Sequence, residues 1–121
     1  MPFTSNSKLK QDIQRLKDRA FDASHRAKES DGQTRDAFYR HKHEAISALL
    51  VADCAVVDSV DWAPDDPTIG VQFVDGGALH TKMSELTLSA FRKVRELIAR
   101  CDAAGRITVV GARWILRPIA E

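Results

Sequence analysis

Apolar residues alternate with polar or small ones from Thr68 to Met83, in the stretch TIGVQFVDGGALHTKM. Ile69, Val71 and Phe73 alternate with Gly70, Gln72 and Val74. Leu79, Thr81 and Met83 alternate with Ala78, His80 and Lys82. Side chains of a strand switch faces at every residue, so the pattern predicts two strands joined at Asp75-Gly76-Gly77, a β-hairpin. Loop length then decides the register. A two-residue Asp-Gly loop would set polar Gln72 against Leu79. A three-residue loop pairs Phe73 with Leu79, Val71 with Thr81 and Ile69 with Met83, which keeps one face largely apolar. Gly77 is expected to take the left-handed conformation that closes such a loop. Gln72, His80 and Lys82 then share the polar face.

Upstream the period changes. Leu9, Ile13, Leu16, Ala20, Ala23 and Ala27 are spaced by alternating fours and threes between Lys8 and Glu29. That is the heptad seam of a helix, set in a face of mixed charge, and residues 1–7 are expected to fray before it. One narrow stripe can be buried, so this helix needs a partner, either another helix of the chain or a second copy of itself. Ser30 to Thr34 interrupts the pattern, with Gly32 as a helix stop and Thr34 as a cap. A second helix follows from Arg35 to about Ala52, with Ala37, Phe38, Ala45, Ile46, Leu49 and Leu50 as its apolar set. The short link favours an antiparallel helical hairpin with Phe38 facing Ala23 and Ala27, and Leu49 facing Ile13 and Leu16. The alternative is one long helix through Gly32, at a cost of about 1 kcal/mol for the glycine.

Cys54 to Trp62 reads as the first strand, with Cys54, Val56, Val60 and Trp62 on one face and Val57, Ser59 and Asp61 on the other. Pro64 to Pro67 is a loop. After the hairpin, Phe91, Val94, Ile98 and Cys101, widened by Leu88 and Leu97, predict a third helix from about Thr87 to Ala103, closed by Gly105. Ile107 to Val110 is a strand, Gly111 a bulge, and Ala112 to Arg117 a continuation or a further strand. The clustering of strands joined by hairpins predicts an α+β fold. It has an N-terminal antiparallel helical hairpin, then a small antiparallel sheet of about four or five strands with one helix packed on it. A single domain, residues 1–121, is expected, with the hairpin of helices at 1–52 and the sheet unit at 53–121.

Composition sets wide bounds. With 121 residues, 44% hydrophobic and 29% charged, the chain suits one soluble domain with a modest core. No apolar run approaches the ~18 residues of a membrane span, and the first residues lack the apolar centre of a signal peptide. Cys54 and Cys101 stand apart in apolar surroundings, as buried free thiols do, which points to a reducing, cytoplasmic setting. The charge layout says more than the net charge of +1. Between Lys42 and Lys82 there is no lysine or arginine, while Glu44, Asp53, Asp58, Asp61, Asp65, Asp66 and Asp75 all fall in that interval.

The search for chemistry ends in exclusions. His41 and His43 are two apart on a helix, about 200° around its axis, and do not chelate one ion. They read as solvated or capping histidines. His25 has Asp22 and Glu29 at helical spacing, and His80 stands alone on the polar face of the hairpin. Nucleophile motifs and phosphate-binding glycine loops are missing, and the aspartates do not follow the spacing of an EF-hand loop. No enzyme activity, cofactor or metal is therefore expected. The sequence points instead to a non-catalytic binding protein, a regulator or inhibitor. It would engage a basic partner, such as a nucleic-acid-binding protein, through Asp58, Asp61, Trp62, Asp65 and Asp66. Two alternatives stand beside it. Leu9, Ile13, Leu16, Ala20, Ala23 and Ala27 could make the chain a self-associating homo-oligomer module. Arg15, Lys17, Arg19, Arg26, Arg35, Arg40 and Lys42 could contact nucleic acid directly, although acidic residues are interleaved with them.

Overall fold

A computed structural model of the chain describes residues 2–63, 65–73 and 76–117, with side chains from Gln11 onward. Two helices come first, α1 (Pro2–Lys28) and α2 (Gly32–Val51). The strands β1 (Ala55–Asp61), β2 (Thr68–Phe73) and β3 (Ala78–Lys82) follow, then a single 3₁₀ turn, Met83–Glu85. The helix α3 (Leu88–Ala103) and the strands β4 (Ile107–Val110) and β5 (Arg113–Leu116) complete the order. The five strands form one antiparallel sheet in the order β3-β2-β1-β5-β4. The architecture is α+β, with the N-terminal helices packed together and one further helix between the third and fourth strands.

The helical pair is the hairpin that the short link favoured. Helix α1 begins earlier than the heptad pattern suggested, since residues 2–7 are helical rather than frayed. Gly32 does not stop the first helix. It opens the second at a φ of +60°, which places Thr34 inside the first turn. Ala20, Ala23 and Ala27 are buried, and Ile13 and Leu16 lie half-buried against the core. The side chain of Leu9 lies outside the described residues. The predicted seam is thus largely covered within a single chain.

The core lies between the helices and one face of the sheet. Ile46 and Leu49 of α2, Val57 and Val60 of β1, Ile69 and Val71 of β2, and Val94 and Cys101 of α3 are essentially inaccessible to solvent. Helix α3 starts as its sequence predicts, with the Thr87 hydroxyl accepting a hydrogen bond from the backbone N–H of Ala90 at 3.3 Å. Two polar ties hold it in place. The backbone N–H of Thr87 donates to the buried Ser47 hydroxyl of α2 at 3.1 Å. Lys93 lies 2.7 Å from the carboxylate of Asp53, in the turn that follows α2.

Three strand predictions need correction. The faces of the β2–β3 hairpin are as expected, but Val71 pairs with Leu79 and Ile69 with Thr81. Each partner is two positions earlier than predicted, and a shift by two preserves the faces. The cause is an earlier reversal. Phe73 donates its N–H to the Gly77 carbonyl, and its own carbonyl accepts from Gly76, both at 3.0 Å. Val74 and Asp75, which the predicted register used, lie outside the described residues. In β1 the alternation breaks at a bulge. Val57 pairs with Val71, Ser59 with Gly70 and Val60 with Ile69. Ala55, Val57 and Val60 therefore face the core, while Val56 does not. Gly70 sits opposite the bulge, where an added Cβ would come within 2.5 Å of the Asp58 and Ser59 side chains. Finally, Gly111 is no bulge. At φ +61° it is the first residue of a two-residue turn joining β4 to β5, where glycine suits a hairpin of type II′.

Gly77 carries a constraint that Gly76 does not. Both have positive φ, +94° and +99°. A Cβ on Gly77 would lie 2.8 Å from the ring of Phe21, whereas one on Gly76 meets nothing within 4 Å. Phe21 in turn stands edge-on to Phe73, with ring centroids 5.5 Å apart. Gly76→Ala should cost about 1 kcal/mol for the backbone conformation, and Gly77→Ala about 1–3 kcal/mol more for overpacking. Urea denaturation of both variants, repeated in a Phe21→Ala background, checks this. The excess cost at Gly77 should vanish without the ring, and an undiminished difference would refute the packing account.

Candidate functional site

The β1 bulge decides what the acidic run looks like in space. Past it, Val60 and Trp62 turn to the helix side of the sheet and Asp61 turns to the open side. The Asp61 carboxylate accepts a hydrogen bond from the backbone N–H of Ala63 at 3.0 Å, closing a local turn at the end of the strand. Its neighbours in the sheet are Thr68 on β2 and Arg113 on β5. Asp58 occupies the bulge beside Gly70, and Asp65 is exposed. Asp66 does structural work. It accepts from the backbone N–H of Ser84 at 3.3 Å and from the Ser84 hydroxyl, tying the β1–β2 loop to the 3₁₀ turn. Next to it, Met83 donates its N–H to the Pro67 carbonyl at 2.8 Å.

Trp62, 39% exposed, meets the ring of Trp114 edge-on, with centroids 5.2 Å apart. The pair lines one side of a groove of about 630 Å³ that runs between the end of the sheet and α3. Its apolar walls are completed by Pro67, Met83, Phe91 and Ile98, and Asp66, Asp102 and Arg95 supply charge. Of the five residues the sequence singled out, Trp62 and Asp66 line this groove. Asp61 and Asp65 lie beside them in the chain, and Asp58 belongs to the open face of the sheet. The α3 contribution was missed. Its signal was present in the half-buried Phe91 and Ile98, seven residues apart on one helix face.

A second concave region lies between α2 and the edge strand β3. His43 was read from the sequence as solvated or capping, and the structure corrects this: its side chain is 13% exposed. The Thr81 hydroxyl lies 2.7 Å from Nδ1 of His43, and Glu85 lies 3.9 Å from Nε2. Burial pushes the imidazole below its ordinary pKa; Glu85 acts in the opposite sense, and Lys42 adds to the depression. In the Nε2–H tautomer, the Thr81 hydroxyl donates to Nδ1 and the Nε2–H faces Glu85. The hydroxyl–imidazole–carboxylate order resembles that of a catalytic triad. Thr81 is only 3% exposed, and it lines the wall of the concave region together with His43 and Glu85. The arrangement clamps α2 to β3.

The other histidines divide as helix geometry requires. His41 points away from His43 and meets Arg19 of α1 at 2.8 Å. His25 contacts Glu29 at 3.2 Å. Among the described residues, no group of three His, Cys, Asp or Glu side chains is placed to hold a metal ion, and no helix is long and apolar enough to cross a membrane. Cys101 is buried and Cys54 half-buried, and no disulfide joins them. No family model, curated protein or solved structure matches the chain.

The depressed His43 pKa has a definite consequence for stability. In the unfolded chain this histidine takes up a proton as the pH falls through about 6.5. The native one does so only at a lower pH. Between those values the unfolded state holds more protons. This contribution to stability is thus intact above about pH 6.5 and is lost as the pH falls toward the native value. His43→Gln retains a partner for Thr81 and cannot titrate. Urea unfolding across pH 5–8, with imidazole NMR titration of the wild type, should show a shallower acid-side slope in the variant. Equal slopes would contradict the buried neutral ring.

Proposed function

We propose that the chain is a non-catalytic protein-binding module, a regulator or inhibitor, that engages a basic segment of a partner at the acidic end of its sheet. The observation that carries this reading is the groove beside Trp62 and Trp114. It combines a half-exposed aromatic pair and apolar walls with two carboxylates, Asp66 and Asp102, against one cation, Arg95, and Asp61 and Asp65 lie close by in the chain. Exposed aromatic side chains give a partner an apolar anchor, and the surrounding charge selects its sign and speeds its approach. A segment with one large apolar side chain flanked by lysine or arginine fits both features.

The alternatives have less support. The helix α1 seam is mostly covered by the chain's own α2 and core, so a second copy has little apolar stripe left to bury. Of the basic residues proposed for nucleic acid, Lys17 and Lys42 are buried. Arg15, Arg19 and Arg26 stand within 4.0 Å of Asp12, Glu44 and Asp22 respectively.

The chain has two tryptophans, both at the groove, so intrinsic fluorescence reports its occupancy directly. Peptides with a single leucine or phenylalanine set among lysines should shift the emission saturably, and acidic peptides of the same apolar content should not. Asp65→Asn with Asp102→Asn should leave folding intact. The pair should slow association and flatten its salt dependence. Trp62→Ala should weaken binding about tenfold or more. Unchanged affinity and salt slope in the double asparagine variant would sink the acidic-groove reading.

A further inference from the structure

Lys42 is the least expected residue in the second concave region. It is only 9% exposed, and among the described residues it makes no hydrogen bond and no ion pair. Its ammonium lies 5.9 Å from the centre of the Tyr39 ring, a weak attraction at that distance. Burial and the charge of Lys28 both disfavour its protonated form. Lysines commonly bury their stems while the charge stays in water. That habit explains the covered stem. The ammonium itself has no carboxylate to meet it among the described residues, and its partial desolvation favours an anionic partner. Because no buried polar atom is left without a partner among the described residues, the unpaired Nζ must keep a path to solvent. Lys42 lines the cavity of about 600 Å³ between α2 and β3.

Exposed Arg40 and Lys82 line the same cavity. The carboxylates there are Asp36 and Glu85, and Glu85 already faces His43. The cations therefore outnumber the anions, and the most buried charge is the unpaired lysine. A cavity of this volume suits a small molecule rather than a helix or a duplex. An oxyanion reaching Lys42 would supply the missing partner, and Arg40 adds the planar fork that matches phosphate oxygens. We propose that the α2–β3 cavity binds the phosphate group of a small phosphorylated molecule, with Lys42 as its buried anchor and Arg40 and Lys82 as its exposed contacts. The Thr81–His43 hydrogen bond keeps the wall of the site in place.

The reading is tested by NMR titration of the full chain with inorganic pyrophosphate and, separately, ribose 5-phosphate, at matched ionic strength. Saturable shifts are expected at Tyr39, His43 and Thr81. Lys42→Met keeps the buried stem and removes the charge. It should fold at least as stably as the wild type and bind about tenfold or more weakly. That pairing of kept stability with lost binding is what a purely structural lysine would not produce. If Lys42→Met fails to fold, Lys42 is structural and the anchor role is overturned. Arg40→Ala with Lys82→Ala, both at exposed positions, then decides whether the cavity binds phosphate at all. Duplex DNA and phosphatidylcholine vesicles containing phosphatidic acid form the other arms. The proposal fails if the small phosphates give no saturable shifts, if Lys42→Met binds as the wild type does, or if only DNA or vesicles bind.

Discussion

The bulge at Asp58 and Ser59 is the constraint on which the rest of the sheet depends. Val57 and Val60 are three residues apart, and strict alternation would send one of them to solvent. The extra residue turns both toward the helices, where they meet Val71 and Ile69 of β2 across the ladder. β1 is the central strand of the five, so its parity sets the layer that α2 and α3 cover. The same extra residue aims Trp62 at Trp114 and leaves Asp61 on the open face. Gly70 faces the bulge, where an added Cβ would crowd the Asp58 and Ser59 side chains.

The helices are held to this sheet by few polar contacts, placed at the ends of elements. Ser47 and Asp53 secure the two sides of α3, and His43 secures α2 to the edge strand. Helix α1 packs mainly along α2, and its Phe21 covers the hairpin where the chain reverses. Each contact is worth little alone. Apolar burial supplies most of the driving force, and these contacts choose one relative placement of the layers.

What was legible in the sequence is what has a period. The faces of β2 and β3, the seam of α1 and the stripe of α3 repeat along the chain, and a repeat survives small errors in register. The parity of β1 was not legible because a bulge is one residue long and leaves no period of its own. The hairpin register was missed by two residues because Gly76 and Gly77 offer two places for the reversal, and the ring packed on Gly77, Phe21, is far away in sequence. His43 was misjudged for a related reason: its partner Thr81 lies 38 residues downstream. Lys42 looks like any lysine on an amphipathic helix, and only the packing of its neighbours marks it out. Of the predicted binding residues, Trp62 and Asp66 do meet at one groove. The sequence could not say that α3 supplies its other wall.

The uneven charge of the chain takes on a spatial meaning in this fold. Lys42 and Lys82 bound the interval that holds no lysine or arginine, and both line the α2–β3 cavity. Between them the chain leaves that cavity, makes β1 and the acidic loop, and returns along β2 and β3. The 3₁₀ turn then divides the two concave regions, with Ser84 lining the groove and Glu85 the cavity. Asp66 holds the turn through Ser84, and His43 faces it through Glu85. The cation-free stretch supplies Trp62, Asp66 and Pro67 to the groove, while α3 adds Arg95 and Asp102, and the adjoining cavity has a positive excess. On the two proposed readings, a basic segment and a phosphate would occupy different sides of Met83–Glu85 rather than compete for one surface.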